Sequence, residues 1–438
     1  MKRWAVADAA QYIQSRARFG IKPGLNRISA LLRELGDPQS ALRFVHIAGT
    51  NGKGSTSAML ANVLRCAGYR TGLYTSPSLH SLTERICVDG APIGEDDFAD
   101  VVLRVKHAAM SVRGDDQATE FELLTAAALL HFVRADVDLV VLETGLGGRY
   151  DATNIVHPEL AVITNVDYDH TDILGARLEM IAFDKAGIIK ENVPVLSGAT
   201  GSAARVVERV ARQVGAPLLL CGEDLRAVSV GVRGFDGQRV TYFGMDRDLP
   251  DIPLRLSGRH QVRNAALALG AVEILRRRGF DLSASAVRDG LRSVAWPGRM
   301  EIVQGTPTVV LDGAHNRAGA QALADALREL GIYRAAFVIG IFADKDIPGM
   351  LRSLAPLMKS VVAVAAGGPR AAPPEMVADA CRRFSGPSVT ISAAGSIEEG
   401  IAIGLEQAVY TDALVVTGSL STVAMARQWL GLAGAPLR

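Results

Sequence analysis

The chain has 438 residues, and at about 150 residues per domain that implies two or three domains rather than one simple core. Lys plus Arg number 47 and Asp plus Glu 46, a net charge of +1 without a long block of one sign, which argues against a protein that coats nucleic acid. Hydrophobic residues make up 49%, yet no apolar run reaches the roughly 18 residues of a membrane span, so no membrane partner is expected.

At the start of the chain Lys2 and Arg3, then Asp8, Gln11, Gln14 and Arg16, leave no apolar core for a secretory signal, and a cytoplasmic location is expected. Short β-branched runs then alternate with helical patterns: 44–48, 55–68 and 71–75, and later 138–143 and 160–165. That alternation predicts βα units on a largely parallel sheet. From about Cys221 to Arg255 the sequence becomes turn-rich and strand-like, with Gly231, Gly234, Gly237 and Gly244, and reads as a β-rich annex to the first domain. A helical pattern returns at 261–278. The sequence SVAWPGRM follows another at 284–291 and breaks it with Pro297 and Gly298. The expected domains are therefore 1–295 and 296–438. Beyond the break, four strand-then-helix repeats begin near 308–312, 335–341, 360–365 and 413–417, with a short strand at 389–392. They predict a smaller, doubly wound, Rossmann-like α/β domain. The scattered Cys66, Cys87, Cys221 and Cys381 read as free, mostly buried thiols.

The strongest local signal joins the apolar run 44–48 to Gly49-Thr50-Asn51-Gly52-Lys53-Gly54-Ser55 and then to an amphipathic helix. Strand, glycine loop and helix start, in that order, cradle a phosphate. The glycines let backbone N–H groups turn inward, the helix N-terminus adds about half a positive charge, and Lys53 reaches the outer phosphates. Ser55 is placed to orient magnesium. Ile47, and Gly54 between Lys53 and Ser55, depart from the G-x-x-x-x-G-K-[ST] spacing, so this is a variant loop.

The apolar strand 138–143 ends in Glu143, followed by Thr144-Gly145-Leu146-Gly147-Gly148-Arg149. A carboxylate at the carboxyl edge of a parallel sheet is placed to hold magnesium beside a phosphate loop. The strand 160–166 runs into Asp167, Tyr168, Asp169 and His170 at the same edge. Chemistry alone favours a structural role for His170, because imidazole is not magnesium's preferred partner. Taken alone, Asp184 and Lys185 read as a surface ion pair, and Ser76 of Thr75-Ser76-Pro77 as a turn residue.

Four segments together, GTNGKGS at 49–55, TSPSLHSLTERI at 75–86, ETGLGGRYDATN at 143–154 and DGAHN at 312–316, resemble the folylpolyglutamate synthase and dihydrofolate synthase family of Mur-type ligases. The resemblance implies an ATP-dependent amide ligase with an N-terminal P-loop domain, a Rossmann-like C-terminal domain and a site in the cleft between them. It implies that Ser76, Glu143 and His170 hold Mg2+, and that Lys185 is carbamylated and helps to organise a second metal, although Asp184 stands where glutamate is commoner. Nucleotide contacts carry over to Asn264, at an expected helix start, and to Arg299 and Asp312. Acceptor contacts carry over to Thr119, Glu120, Phe121 and Glu122 and to Tyr150, with Phe121 equally readable as core. His315 and Ser419 are expected at a glutamate site, with helix capping the other reading of His315. Arg317 occupies the family's proline position in D-x-A-H-N-P, and TSPSL replaces the commoner TSPHL.

The substrates so implied are ATP, L-glutamate and either dihydropteroate or folate; the preferred expectation is a monomer with both ligase activities, and the alternative is a monofunctional folylpolyglutamate synthase. A muramoyl–amino-acid ligase would be expected to carry a UDP-binding domain ahead of the loop, where few residues stand. A P-loop NTPase switch would explain Lys53 and Glu143 but not the DGAHN segment.

Overall fold

The computed structural model describes residues 4–20, 22–112 and 117–433; Lys2 and Arg3 lie outside the described residues. Amphipathic α1 (Val6–Gln14) and α2 (Asn26–Glu34) bury Ala9, Ile13, Ile28, Leu31 and Leu32. The mostly apolar β1 (Phe44–Ala48), interrupted only by His46, is buried along its whole length, as befits a strand covered on both faces. Then follow α3 (Lys53–Cys66), β2 (Thr71–Tyr74), β3 (Ile86–Val88), β4 (Ala91–Pro92), α4 (Glu95–Ser111), α5 (Glu120–Arg134), β5 (Leu139–Glu143) and β6 (Leu160–Ile163). After them come α6 (Thr171–Leu174), α7 (Leu178–Lys185), β7 (Val195–Ser197), α8 (Gly201–Gln213) and β8 (Leu218–Leu220). The eight strands form one sheet in the order β4-β3-β2-β5-β1-β6-β7-β8. It is parallel from β2 to β8, with β3 and β4 antiparallel at one edge. One core gathers Phe44, Tyr74, Val140 and Leu142 with the apolar stripes of α1, α2, α4 and α5; another gathers Ala48, Ala161, Ile163 and Val195 with residues of α7 and α8.

A small sheet of β9 (Arg226–Val232), β10 (Gln238–Phe243) and β11 (Leu249–Leu254) follows, in the order β11-β10-β9, then α9 (Arg259–Arg277) and α10 (Ala284–Ser293). The second large sheet has the order β12-β13-β17-β14-β15-β16. Its strands are β12 (Glu301–Val303), β13 (Val309–Leu311), β14 (Ala335–Ile339), β15 (Met358–Ala363), β16 (Thr390–Ala393) and β17 (Ala413–Thr417). All its pairings are parallel except β12 with β13. Between and after the strands lie α11 (Arg317–Glu329), α12 (Ile347–Leu354), α13 (Pro374–Phe384), α14 (Ile397–Ala408) and α15 (Leu420–Trp429).

Two compact units result, one of residues 1–227, 242–252 and 263–293, the other of 228–241, 253–262 and 294–438. Both have the α/β architecture read from the sequence. The β-rich stretch, however, is not simply an annex of the first unit. The Gln238 amide donates to the carbonyls of Leu256 and Gly258 at 2.8 and 3.0 Å, so 228–241 and 253–262 are tied together and group with the second unit. Of the four free cysteines only Cys381 is buried; Cys66 ends α3 and Cys221 follows β8, positions that leave their thiols partly accessible. No described helix is long and apolar enough to cross a membrane.

Candidate active site

Ile47 pairs with Glu143 across β1 and β5, and Ala48 with Ile163 across β1 and β6, so Gly49, Thr144 and Thr164 leave the sheet at one carboxyl edge. Gly49 has φ 155°, and a Cβ there would stand 1.9 Å from Thr164 Oγ1; Gly52 has φ 80°, and its Cβ would stand 2.3 Å from Asn264 Oδ1. Neither position accepts a side chain. Asn264 lies in the second turn of α9 rather than at its start, because the helix begins at Arg259. The loop is held from below by the chain that leaves β6. Asn165 accepts the Thr50 N–H through its carbonyl at 3.1 Å and the Asn51 N–H through Oδ1 at 2.9 Å. Thr164 Oγ1 donates to Asn51 O at 2.7 Å, and Thr50 Oγ1 to Asp167 O at 3.1 Å. These contacts are why β6 ends at Ile163, before the 160–165 limit read from the sequence. Lys53, Gly54 and the buried Ser55 open α3, whose first N–H groups and dipole suit an anion.

Three charged side chains meet above this loop. Lys53 Nζ donates to Gly49 O at 3.2 Å and lies 4.0 Å from Glu143 Oε1. The Glu143 carboxylate is buried and accepts the Ser76 N–H at 3.4 Å. Lys185 Nζ donates to Gly49 O at 2.8 Å and the residue is only 4% exposed, which overturns the surface-pair reading. Burial, and then the charge of Lys53, lowers the Lys185 pKa to about 7, so near neutral pH much of this amine is unprotonated. Asp184 accepts the Gly148 N–H at 2.9 Å through its side chain and the Arg149 N–H at 2.8 Å through its carbonyl. Burial raises its pKa.

The two backbones are packed against each other here: a Cβ on Gly148 would lie 2.7 Å from Lys185 O, and one on Gly187 2.4 Å from Arg149 Cα. Gly187→Ala is therefore expected to destabilise the first unit by about 2 kcal/mol, the cost of overpacking against backbone that cannot yield. Urea unfolding checks this; an unchanged midpoint would show that the two segments separate freely.

His170 adopts φ 49° just before α6, with its ring 35% exposed and Nε2 3.8 Å from Asp169 Oδ1. Among the described residues no three His, Cys, Asp or Glu side chains are grouped to hold a metal ion. The Ser76 backbone nevertheless meets the Glu143 carboxylate, and carboxylate and hydroxyl are the kinds of oxygen donor that suit magnesium, which fills its remaining positions with water or phosphate.

On the acceptor side, Thr119 caps α5 and Glu122 closes the capping box, accepting the Thr119 N–H at 2.7 Å. The Glu122 carboxylate also meets Arg27 Nε at 3.1 Å and is buried, so Thr119 and Glu122 form the frame of the turn. Glu120 lies 3.7 Å from Arg85 Nη1, and burial raises its pKa. The Phe121 ring stands 5.9 Å from that of Tyr74, with the Arg85 guanidinium 5.4 Å from its centroid. A Cβ on Gly145 would come within 2.5 Å of its Cζ, so the ring borders the Glu143 loop. Tyr150 is 53% exposed.

In the second unit, the buried Asp312 accepts the N–H groups of Met300 and Ala314 at 2.8 and 2.9 Å. Arg299 Nη1 donates to Gly313 O at 3.2 Å. A His315 ring nitrogen lies 2.9 Å from the same carbonyl, while the cap of α11 is Asn316, which accepts the Gly319 N–H at 2.8 Å; the capping reading of His315 is corrected accordingly. Arg317 is the first residue of α11. Ser419 is fully buried and caps α15, accepting the Thr422 N–H at 3.1 Å.

Sequence reading passed over Arg85, Thr164, Asn165 and Asp151. Arg85 was visible as the cation of the TER segment. Asp151, buried within the DATN segment, accepts the Leu146 N–H at 2.8 Å and so holds the loop after Glu143, and burial raises its pKa. Thr164 and Asn165 gave no local signal, because their partners lie more than a hundred residues away.

A parallel sheet whose edge carries a glycine loop, a lysine within it and a buried carboxylate opposite defines a P-loop nucleotide-binding enzyme. Residues 47–272 match the Mur ligase middle domain and 298–420 the Mur ligase glutamate ligase domain. Dihydrofolate synthase/folylpolyglutamate synthase of Bacillus subtilis is 39% identical over 381 residues, covering 84% of this chain and 86% of its own. Folylpolyglutamate synthase of Mycobacterium tuberculosis, solved in complex with ADP and AMPPCP, superposes with a TM-score of 0.90 at 34% identity over 99% of this chain and 100% of its own. Escherichia coli FolC in complex with DHPP and ADP gives a TM-score of 0.87 at 32% identity over 99% of both chains. The chain belongs to the dihydrofolate synthase/folylpolyglutamate synthase family of Mur ligases and is an ATP-dependent ligase.

Proposed function

We propose that the chain joins L-glutamate to dihydropteroate, making dihydrofolate, and to the γ-carboxyl of tetrahydrofolate, extending its glutamate tail, at the cost of ATP. The observation that carries this reading is the meeting of Lys53, Glu143 and Lys185 at Gly49, with the Phe121 ring bordering the loop that follows Glu143. A carboxylate does not condense with an amine in water, so it must first be activated. The loop N–H groups and Lys53 hold and align the γ-phosphoryl group against the acceptor carboxylate, in-line transfer gives an acyl phosphate, and the glutamate amine displaces phosphate from it. Ser76, Glu143, His170 and carbamylated Lys185 are the residues that would hold Mg2+. When bound, Mg2+ supplies charge neutralisation at the phosphates.

Thr50, Asn51 and Asn264 line the nucleotide side, and Glu120, Phe121 and Tyr150 the acceptor side, with Thr119 and Glu122 framing the turn. In the second unit Arg299 and Asp312 belong to nucleotide binding and His315 and Ser419 to the glutamate site. The reading divides the chain into domains 1–295 and 296–438, apart from 228–241 and 253–262, which group with the second compact unit, and the enzyme works as a cytoplasmic monomer without nucleic acid or membrane.

The test is ADP release with Mg-ATP and glutamate, comparing dihydropteroate with tetrahydrofolate and identifying products by mass. Turnover with both acceptors is expected. Turnover with tetrahydrofolate alone would reduce the activity to polyglutamylation, and ADP release independent of acceptor and glutamate would overturn the reading.

A further inference from the structure

We infer that Arg27 is a positioning residue for the acceptor substrate: acting through Glu122, it sets the turn that presents the Phe121 ring. The inference rests on the acceptor side proposed above. Arg27 lies at the start of α2, 95 residues before Glu122, and its Nε reaches both carboxylate oxygens at 3.1 and 3.2 Å. Its Nη2 donates to Lys22 O at 2.5 Å, so the guanidinium is fixed from both sides. The two side chains are 13% and 4% exposed.

A buried ion pair is a poor source of stability, because removing two charges from water costs about as much as their attraction returns. Apolar side chains would hold α2 against α5 as well. What they could not do is continue into the cap. Glu122 Oε2 accepts at once from the Thr119 N–H at 2.7 Å and from Thr119 Oγ1 at 2.9 Å. Guanidinium, carboxylate and cap thus form one hydrogen-bonded chain that ends next to Phe121. The ring has little slack, since its Cζ occupies the space a Cβ on Gly145 would need. Gly145 is two residues after Glu143, so the start of α5 sets the distance between the aromatic face and the reacting end of the site. Without the Arg27 cation, the buried carboxylate must take up a proton or turn toward water, and either change alters the cap.

The experiment compares Arg27→Met, Arg27→Lys, the double variant Arg27→Met with Glu122→Gln, and Phe121→Ala, reading KM for acceptor, KM for ATP, kcat and thermal midpoint. Arg27→Met is expected to raise the acceptor KM about tenfold with the ATP KM unchanged, and Arg27→Lys to recover part of it. The double variant, which leaves no unpaired buried charge, is expected to regain stability while its acceptor KM stays raised. If Phe121→Ala raises the acceptor KM and Arg27→Met does not, the inference falls and the acceptor reading stands. If Phe121→Ala leaves the acceptor KM unchanged, that reading falls and takes the inference with it. If Arg27→Met changes both KM values alike, or the double variant restores the acceptor KM together with stability, Arg27 is only structural and the inference is overturned.

Discussion

Lys53→Met is expected to lower acceptor- and glutamate-dependent ADP release about a thousandfold, or about 4 kcal/mol in the barrier. Methionine keeps most of the side chain's apolar stem and removes only the charge. The ammonium rests on the carbonyls of Gly49 and Thr50 at 3.2 and 3.5 Å, so it is aimed back over the loop rather than into solvent. A cation held there is pre-organised for charge that builds on phosphoryl oxygens, and its removal acts on the transition state more than on the fold. Steady-state kinetics with circular dichroism as a control provides the check. A loss smaller than tenfold in a folded variant would remove Lys53 from the chemistry.

Lys185→Met is expected to cost at least a hundredfold in turnover and to change the pH dependence of stability. Carbamylation needs the neutral amine, which burial makes available near pH 7. Wild-type activity is accordingly expected to depend on bicarbonate, and the variant's is not. The native state, with its Lys185 pKa lowered to about 7 from 10.5, binds fewer protons than the unfolded chain between those values. Stability therefore rises with pH through that window, by up to about 1.4 kcal/mol per pH unit, while below it both states are protonated and the cost of the buried charge stays constant. Urea midpoints from pH 7 to 9.5 in carbon dioxide-free buffer test this. A methionine variant with the wild-type slope would show that Lys185 titrates like an exposed lysine.

Much of the fold is legible in the sequence alone. Strands buried on both faces are continuous apolar runs, and helices between them repeat every three to four residues, so the alternation, the phosphate loop and the break near Pro297 stand out locally. Glu143 was legible too, because a carboxylate that ends an apolar strand is conspicuous. Lys185 was not: Asp184 beside it mimics a surface pair, and only the close approach of the 147–149 and 184–187 backbones buries the amine. Glu122 was placed among the acceptor contacts because the family resemblance carries over the whole 119–122 segment. Its N3 position in the capping box and its pairing with Arg27 direct its charge inward instead.

The sequence by itself determined the order of the elements, the class of fold and the phosphate-binding chemistry, because each depends on neighbours within a turn or a strand. Tertiary structure alone decided which charges are buried, which glycines tolerate no side chain and which polar residues are frame rather than ligand. Those properties come from segments between about forty and more than a hundred residues apart being forced within a few ångströms. Asn165 under the phosphate loop, Arg27 on Glu122 and Gly187 against Arg149 are all cases in which periodicity and propensity say nothing about the partner.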